Sequence, residues 1–256
     1  GTGKTVIFAY ILRQIAQRGG RSLVLVHRDE LLHQAEDKLK TIWPEAEVGV
    51  VKAARHELDA AVTIASVQSV SRESRLKQLR HIRFDFLVTD EAHHAVSASY
   101  QRVYDALLDG SGQVHLGVTA TPNRGDGRGL LEVYQEVVYH RSLLEMIRSG
   151  WLCDLRCVQI NTDVSLDSVK TRQGDFAPGE LAGVLNTENR NELIVQAYQE
   201  HAPGRLALCF TVNVQHAIDL ADAFSEAGVN AVAISGRTPM AERRKTLRQF
   251  HDREID

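Results

Sequence analysis

The chain has 256 residues, 43% hydrophobic and 25% charged, with a formal net charge of −3 at pH 7, a composition that excludes an intrinsically disordered protein. No apolar run reaches the roughly 18–20 residues that a membrane span needs and no signal-peptide pattern is present, so we expect no membrane partner and a cytoplasmic location. Three cysteines cannot build a disulfide framework, and the slightly acidic balance means that any nucleic acid must be held by a local groove.

Short apolar runs alternate with helical patterns along the first half of the chain. The runs have the length of strands and lack polar alternation, which is typical of parallel strands buried on both faces; they cover residues 22–27, 61–66, 84–89 and 114–119. Residues 5–17 and 29–43 carry apolar side chains at helical spacing. The alternation predicts βαβ units and a wound parallel sheet.

The pattern weakens after residue 142 and resumes beyond residue 183. The polar stretch 162–183 is typical of a loop. The remaining predicted elements are helices at 189–201, 214–228 and 239–251 and strands at 205–211 and 229–235. We therefore predict an α/β chain with two domains, residues 1–150 and 151–256.

The chain opens with Gly1, Thr2, Gly3, Lys4 and Thr5, which match the second half of the phosphate-binding pattern G-x-x-x-x-G-K-[ST]. The glycines let backbone amides approach phosphates, the lysine neutralises charge, and the threonine hydroxyl ligates Mg²⁺. The helix that follows adds its N-terminal dipole. A glycine-rich turn before a helix is the alternative.

A second motif follows the apolar run at 84–89: Asp90, Glu91, Ala92, His93 and His94. In a phosphate-loop enzyme, Asp90 would hold Mg²⁺ together with Thr5, and Glu91 would polarise the attacking water as the catalytic residue. A solvated strand end also carries acids, and a zinc site of Asp90, His93 and His94 is a further alternative, although no cysteine or other histidine lies nearby at ligand spacing.

The order of these segments resembles that of the superfamily 2 DEAD/DEAH-box helicases. Lys4–Thr5, residues 90–93 and residues 119–122, with the sequence Thr-Ala-Thr-Pro, are similar to motifs I, II and III. Residues 23–34, 63–70 and 206–217 are similar to motifs Ia, Ib and IV. The boxes at 90–94 and 119–126 most resemble the branch with the Type III restriction helicase subunits and the excision-repair helicases.

The resemblance implies two RecA-like domains, each a wound parallel sheet of the P-loop NTPase class, with the second incomplete. ATP and Mg²⁺ would lie in the cleft between them and nucleic acid across their top, with DNA favoured over RNA. Four residues would couple nucleotide state to domain movement: His93, Thr119, Ala120 and Thr121. The segments expected to touch nucleic acid contribute Arg28, Ser66, Gln68, Thr211 and His216.

The same resemblance implies an ATP-dependent helicase or translocase, with an unidentified nuclease or repair partner. The strand before the phosphate loop and motifs V and VI have no counterpart, so the chain resembles a fragment truncated at both ends, nearly inactive alone. One alternative is another phosphate-loop enzyme, such as a nucleotide kinase, which would have no use for Thr-Ala-Thr-Pro. A nucleic-acid-binding subunit that no longer hydrolyses ATP is the other.

Overall fold

The computed structural model describes residues 3–27, 29–52, 55–122, 129–162, 164–167, 169–172 and 175–256. The chain divides into two compact units, one ending at Leu155 and the other beginning at Arg156. No helix within the described ranges is both long and apolar enough to cross a membrane.

A six-stranded sheet forms the centre of the first unit. Its strands are β1 (Ser22–Val26), β2 (Val48–Lys52), β3 (Arg55–His56), β4 (Val62–Ser66), β5 (Phe86–Asp90) and β6 (Val114–Val118). They lie in the order β3-β2-β4-β1-β5-β6, and all pair in parallel except β3, which runs antiparallel to β2 at one edge. The four strands predicted from apolar runs are present, and the prediction of a wound α/β sheet is confirmed.

Helices cover both faces of this sheet. They are α1 (Lys4–Gln17), α2 (Asp29–Ile42), α3 (Val67–Val70), α4 (Glu73–Leu79) and α5 (Ala98–Leu107), with 3₁₀ turns at Ala92–His94 and Leu130–Glu132. A further helix of this unit, α6 (Leu143–Arg148), has no buried residue. Because side chains alternate along a strand, Val24 packs with Leu12 of α1 and Leu39 of α2 on one face, while Leu25 packs with Leu76 and Val103 on the other. Because β1, β4, β5 and β6 are parallel, their carboxyl ends lie at the same edge of the sheet.

Helices also dominate the second unit. Its elements are a two-stranded antiparallel ladder, β7 (Thr171–Arg172) and β8 (Asp175–Phe176), and α7 (Pro178–Leu185), α8 (Glu188–His201), α9 (Val214–Glu226) and α10 (Met240–His251). α8 and α9 pack through a small core of Val195, Leu220 and Phe224, with the Tyr198 ring edge-on to Phe224 at 5.6 Å. The three predicted helices are present within two residues of their expected bounds.

Three other predictions for this unit are wrong. The stretch 162–183, predicted as a loop, contains the β7–β8 ladder and most of α7. Residues 205–211 and 229–235, predicted as strands, form none. A strand exists through backbone hydrogen bonds to a neighbour, and within the described residues of this unit only β7 and β8 pair. Phe210 is 97% exposed, so its apolar run lacks the burial that would make it a core strand.

Candidate active site

The register of β5 against β6 brings the second and third motifs together. Asp90, the last residue of β5, pairs with Val118, the last residue of β6. Parallel strands end at the same edge, so Glu91 and Thr119 leave the sheet side by side. This edge is where α/β proteins of this architecture place their ligands.

The chain turns sharply at Glu91. Its backbone has φ 50° and ψ 50°, a left-handed conformation that costs a non-glycine residue about 1–2 kcal/mol. Within the described residues, Arg253 is the only other non-glycine residue with a positive φ. The turn is held by Oδ1 of Asp90, which accepts a hydrogen bond from the Glu91 amide at 3.0 Å. Strain of this kind is concentrated at functional sites, and here it leaves the Glu91 side chain 37% exposed.

The imidazole of His93 contacts three other residues of this site. Its Nδ1 lies 3.0 Å from Oγ1 of Thr119, 3.3 Å from Oγ1 of Thr121 and 3.4 Å from Oε2 of Glu91. The amide of Thr121 also donates to Oγ1 of Thr119 at 3.1 Å. One ring nitrogen can carry or accept only one proton, so the three oxygens compete for it. The structure thus brings together Glu91, His93, Thr119 and Thr121, with Ala120 exposed between the two threonines.

The phosphate-loop residues lie at the start of α1. Gly3 is its N-cap, with φ 80° and no side-chain cap, and a Cβ added there would meet nothing within 4 Å. Lys4 and Thr5 occupy the first turn of this 14-residue helix, which Phe8 and Leu12 anchor in the core. An open helix N-terminus with a glycine, a lysine and a threonine suits a phosphate with its Mg²⁺. Gly1 and Thr2 lie outside the described residues.

The acidic and histidine residues of the site do not form a zinc centre. In the part of the chain that the structure describes, no group of three or more His, Cys, Asp or Glu side chains is placed to hold a metal ion. The zinc alternative of Asp90, His93 and His94 therefore has no structural support. Mg²⁺ is commonly bound by one or two protein oxygens together with water and phosphate, and the side chains of Asp90 and Thr5 carry oxygens of the kind that this ion prefers.

The residues expected to touch nucleic acid differ widely in exposure. Ser66 is fully buried as the N-cap of α3 and accepts a hydrogen bond from the Ser69 amide, whereas Gln68 on the same helix is exposed. In the second unit, the hydroxyl of Thr211 donates to the carbonyl oxygen of Asn213 at 3.1 Å. His216 is 6% exposed, and burial lowers the pKa of its imidazole. Arg28 lies outside the described residues.

Two sets of contacts were not predicted from the sequence, although His94 was named there as part of the second motif. His94 stacks on His27, which follows β1, with ring centroids 3.8 Å apart. The second is a partly buried polar layer beside β5 and β6, made of Thr89, Tyr104, His115 and Tyr134. A histidine inside an otherwise apolar strand is the one signal that could have pointed to this layer.

Comparisons with known proteins agree with this geometry. Residues 1–124 match the family described as "Type III restriction enzyme, res subunit". IRC3 of Saccharomyces cerevisiae, whose name describes an ATP-dependent helicase, is 32% identical over 100% of this chain and 39% of its own length. Irc3 of Schizosaccharomyces pombe, named as a mitochondrial ATP-dependent helicase, is 32% identical over 100% of this chain and 43% of its own length.

The solved structure of Dbp5 from Saccharomyces cerevisiae, bound to RNA and ADP BeF3, has a TM-score of 0.56 at 14% identity, covering 100% of this chain and 62% of that one. This likeness shows the fold alone. The chain spans about two fifths of the length of the two yeast relatives. In its ordered motifs, its family match over residues 1–124 and these relatives, the chain closely resembles the superfamily 2 helicases, near the branch of the Type III restriction subunits and repair helicases.

Proposed function

We propose that the protein is an ATP-dependent motor that moves along, or unwinds, nucleic acid. The observation that carries this proposal is the shared contact of His93 with Glu91, Thr119 and Thr121 at the edge of β5 and β6. Such a contact can pass a change at the hydrolytic residue to the segment that follows β6. Residues 1–150 would be the ATP-binding domain and residues 151–256 part of the second RecA-like domain.

The nucleotide would be held by the start of α1. Gly3 and the first-turn amides would receive phosphate oxygens, Lys4 would neutralise their charge, and Thr5 with Asp90 would ligate Mg²⁺. ATP supplies the phosphoanhydride bond whose hydrolysis drives the motor. Oε1 or Oε2 of Glu91 would accept the proton of the attacking water, and the left-handed turn holds this carboxylate at the sheet edge.

Nucleic acid would bind across the carboxyl edges of the strands. Gln68 is an exposed polar residue of the segment that follows β4, and α3 is fixed there by the Ser66 cap. DNA is favoured over RNA because the matching family is named for restriction enzymes. A cytoplasmic location remains a prediction, and the name of the Schizosaccharomyces pombe relative places that protein in mitochondria.

The test is ATP turnover by the full-length protein, measured alone, with single-stranded DNA and with single-stranded RNA of the same sequence. The proposal predicts turnover that rises with nucleic acid, and more with DNA. ATP consumption that depends on a nucleotide acceptor and ignores both strands would instead show a kinase. Nucleic-acid binding without turnover would show a subunit that no longer hydrolyses ATP.

A further inference from the structure

Four polar side chains meet beside β5 and β6. Oγ1 of Thr89 lies 2.9 Å from the hydroxyl of Tyr104 and 3.0 Å from Nε2 of His115. The hydroxyl of Tyr134 lies 3.3 Å from the same nitrogen. Thr89 is fully buried and Tyr104 is 5% exposed, whereas His115 and Tyr134 are half-buried, so the hydroxyls of Thr89 and Tyr104 depend on partners inside the protein rather than on water. Moving one member disturbs the hydrogen bonds of the rest.

Two tyrosine rings flank the imidazole of this layer. The His115 centroid lies 4.5 Å from that of Tyr104 and 4.7 Å from that of Tyr134. Burial lowers the pKa of His115 to about 4, so the ring is neutral at physiological pH. Both hydroxyl partners lie at Nε2, which in a neutral imidazole is either a donor or an acceptor, so the ring binds them without adding a charge to the layer.

The ring of Tyr134 packs directly against Gly117, and any side chain at position 117 would overlap with it. A Cβ at position 117 would be 2.4 Å from Cζ and 2.6 Å from the hydroxyl oxygen of Tyr134. It would also be 2.9 Å from Cβ of Ala92. Tyr134 and Ala92 therefore both pack against the bare backbone of β6. The close fit sets how near the turn at residues 92–94 approaches that strand.

Along the chain, this layer is next to the Asp90–His93 segment and to the Thr119–Thr121 segment. Thr89 directly precedes Asp90, and Gly117 comes two residues before Thr119. We propose that Tyr134 is a positioning residue, whose ring on Gly117 and hydroxyl at His115 set the contact between His93 and Thr119 and thereby the response of ATP turnover to nucleic acid. The inference rests on the proposed function and assigns a role to a residue outside the helicase motifs.

Two substitutions probe the two contacts of Tyr134, and each has a matched control. Tyr134→Phe removes only the hydroxyl. Gly117→Ala adds a methyl group that pushes both the Tyr134 ring and Ala92 away from β6. The controls are Tyr139→Phe, whose side chain is 65% exposed, and Gly129→Ala, where an added Cβ meets only the Leu131 amide nitrogen at 3.9 Å. All are made in the full-length protein.

The measured quantity is the ratio of kcat with single-stranded DNA to kcat without it, together with KM for ATP. Loss of one buried hydrogen bond should lower this ratio about three- to tenfold in Tyr134→Phe, and at least as much in Gly117→Ala, with KM within about twofold. The ratio does not change with the fraction of folded protein. The two controls should keep the wild-type ratio.

A second readout needs no nucleotide. In protein with isotope-labelled histidine, the NMR signals of the His93 ring, assigned with His93→Asn, should shift in Tyr134→Phe and stay in Tyr139→Phe. An unchanged ratio and unchanged His93 signals, with a lowered melting temperature, would overturn the inference and leave Tyr134 a packing residue. A wild-type protein that ignores nucleic acid would instead overturn the proposed function, while the His93 signals would still decide whether Tyr134 positions that ring.

Discussion

The imidazole rings of His27 and His94 stack, with centroids 3.8 Å apart and 14° between their planes. His27 follows β1, and His94 closes the 3₁₀ turn that begins after Glu91. The ring of His93 contacts His94 as well, at 4.1 Å. The three rings form a continuous contact between the end of a strand in the motif Ia segment and the candidate active site.

Substitution of His94 tests the contribution of this stack to stability. An aromatic pair contributes about 0.5–1.5 kcal/mol beyond its buried area. We expect His94→Ala to lower the free energy of unfolding by about that amount or more, and His94→Phe, which keeps a ring, to retain most of it. Urea denaturation of the three proteins measures the difference. Equal losses in both variants would show that the stack contributes nothing.

Ser66 and Gln68 separate a structural role from a binding role on one helix. Ser66→Ala removes the N-cap of α3 and should lower the free energy of unfolding by about 1 kcal/mol. Gln68→Ala alters an exposed side chain and should change it by less than about 0.5 kcal/mol. Nucleic-acid affinity, measured by fluorescence anisotropy, should fall in Gln68→Ala with stability unchanged. Wild-type affinity in that variant would remove Gln68 from the interface.

Burial of His115 predicts a pH-dependent stability. Its pKa falls from the ordinary 6.5 to about 4 in the folded protein, so between these values the unfolded chain binds more protons. The stabilisation is complete above pH 6.5 and is lost as the pH falls towards 4, amounting to about 2 kcal/mol between pH 7.5 and pH 5. Urea unfolding at the two pH values should show this loss in the wild type and a smaller one in His115→Gln. The same loss in both proteins would place the titration elsewhere.

Lys4→Ala tests the nucleotide site at α1. The half-exposed lysine contributes little packing, so the fold should persist while the charge that phosphates require is lost. ATP affinity and turnover should both fall strongly. Lys38→Ala, an exposed lysine on α2, is the control and should behave as wild type. ATP turnover that survives Lys4→Ala would exclude this helix start as the phosphate site.

The sequence predicted those elements whose signal is local. β1, β4 and β5 are buried almost throughout and are continuous apolar runs, so they are readable from the sequence, and the partly exposed edge strand β6 has a similar run. β2 was missed because Gly49 interrupts a short run, and Gly49 is there since a Cβ would lie 2.2 Å from the Glu57 carbonyl oxygen. The apolar run at 205–211 has the composition of a strand but pairs with no other strand among the residues that the structure describes.

The candidate site also contains residues that the sequence predicts and one that it does not. Asp90, Glu91 and His93 lie together in sequence, and their link to Thr119 follows from the parallel order of β5 and β6. Tyr134 was not predictable, because its place on Gly117 depends on how the chain returns after the third motif. Contacts of this kind arise from tertiary packing and leave no spacing pattern in a single sequence.

We propose that ATP is hydrolysed at the edge of β5 and β6, with Glu91 as the base and Asp90 as a Mg²⁺ ligand. ATP binding and turnover by the full-length protein with saturating nucleic acid test it in Glu91→Gln and Asp90→Asn. Glu91→Gln should bind ATP normally and turn it over on the order of 10²–10⁴ times more slowly, whereas Asp90→Asn should first lose Mg²⁺-dependent binding. Turnover at the wild-type rate in Glu91→Gln, or one identical binding defect in both variants, would contradict the account.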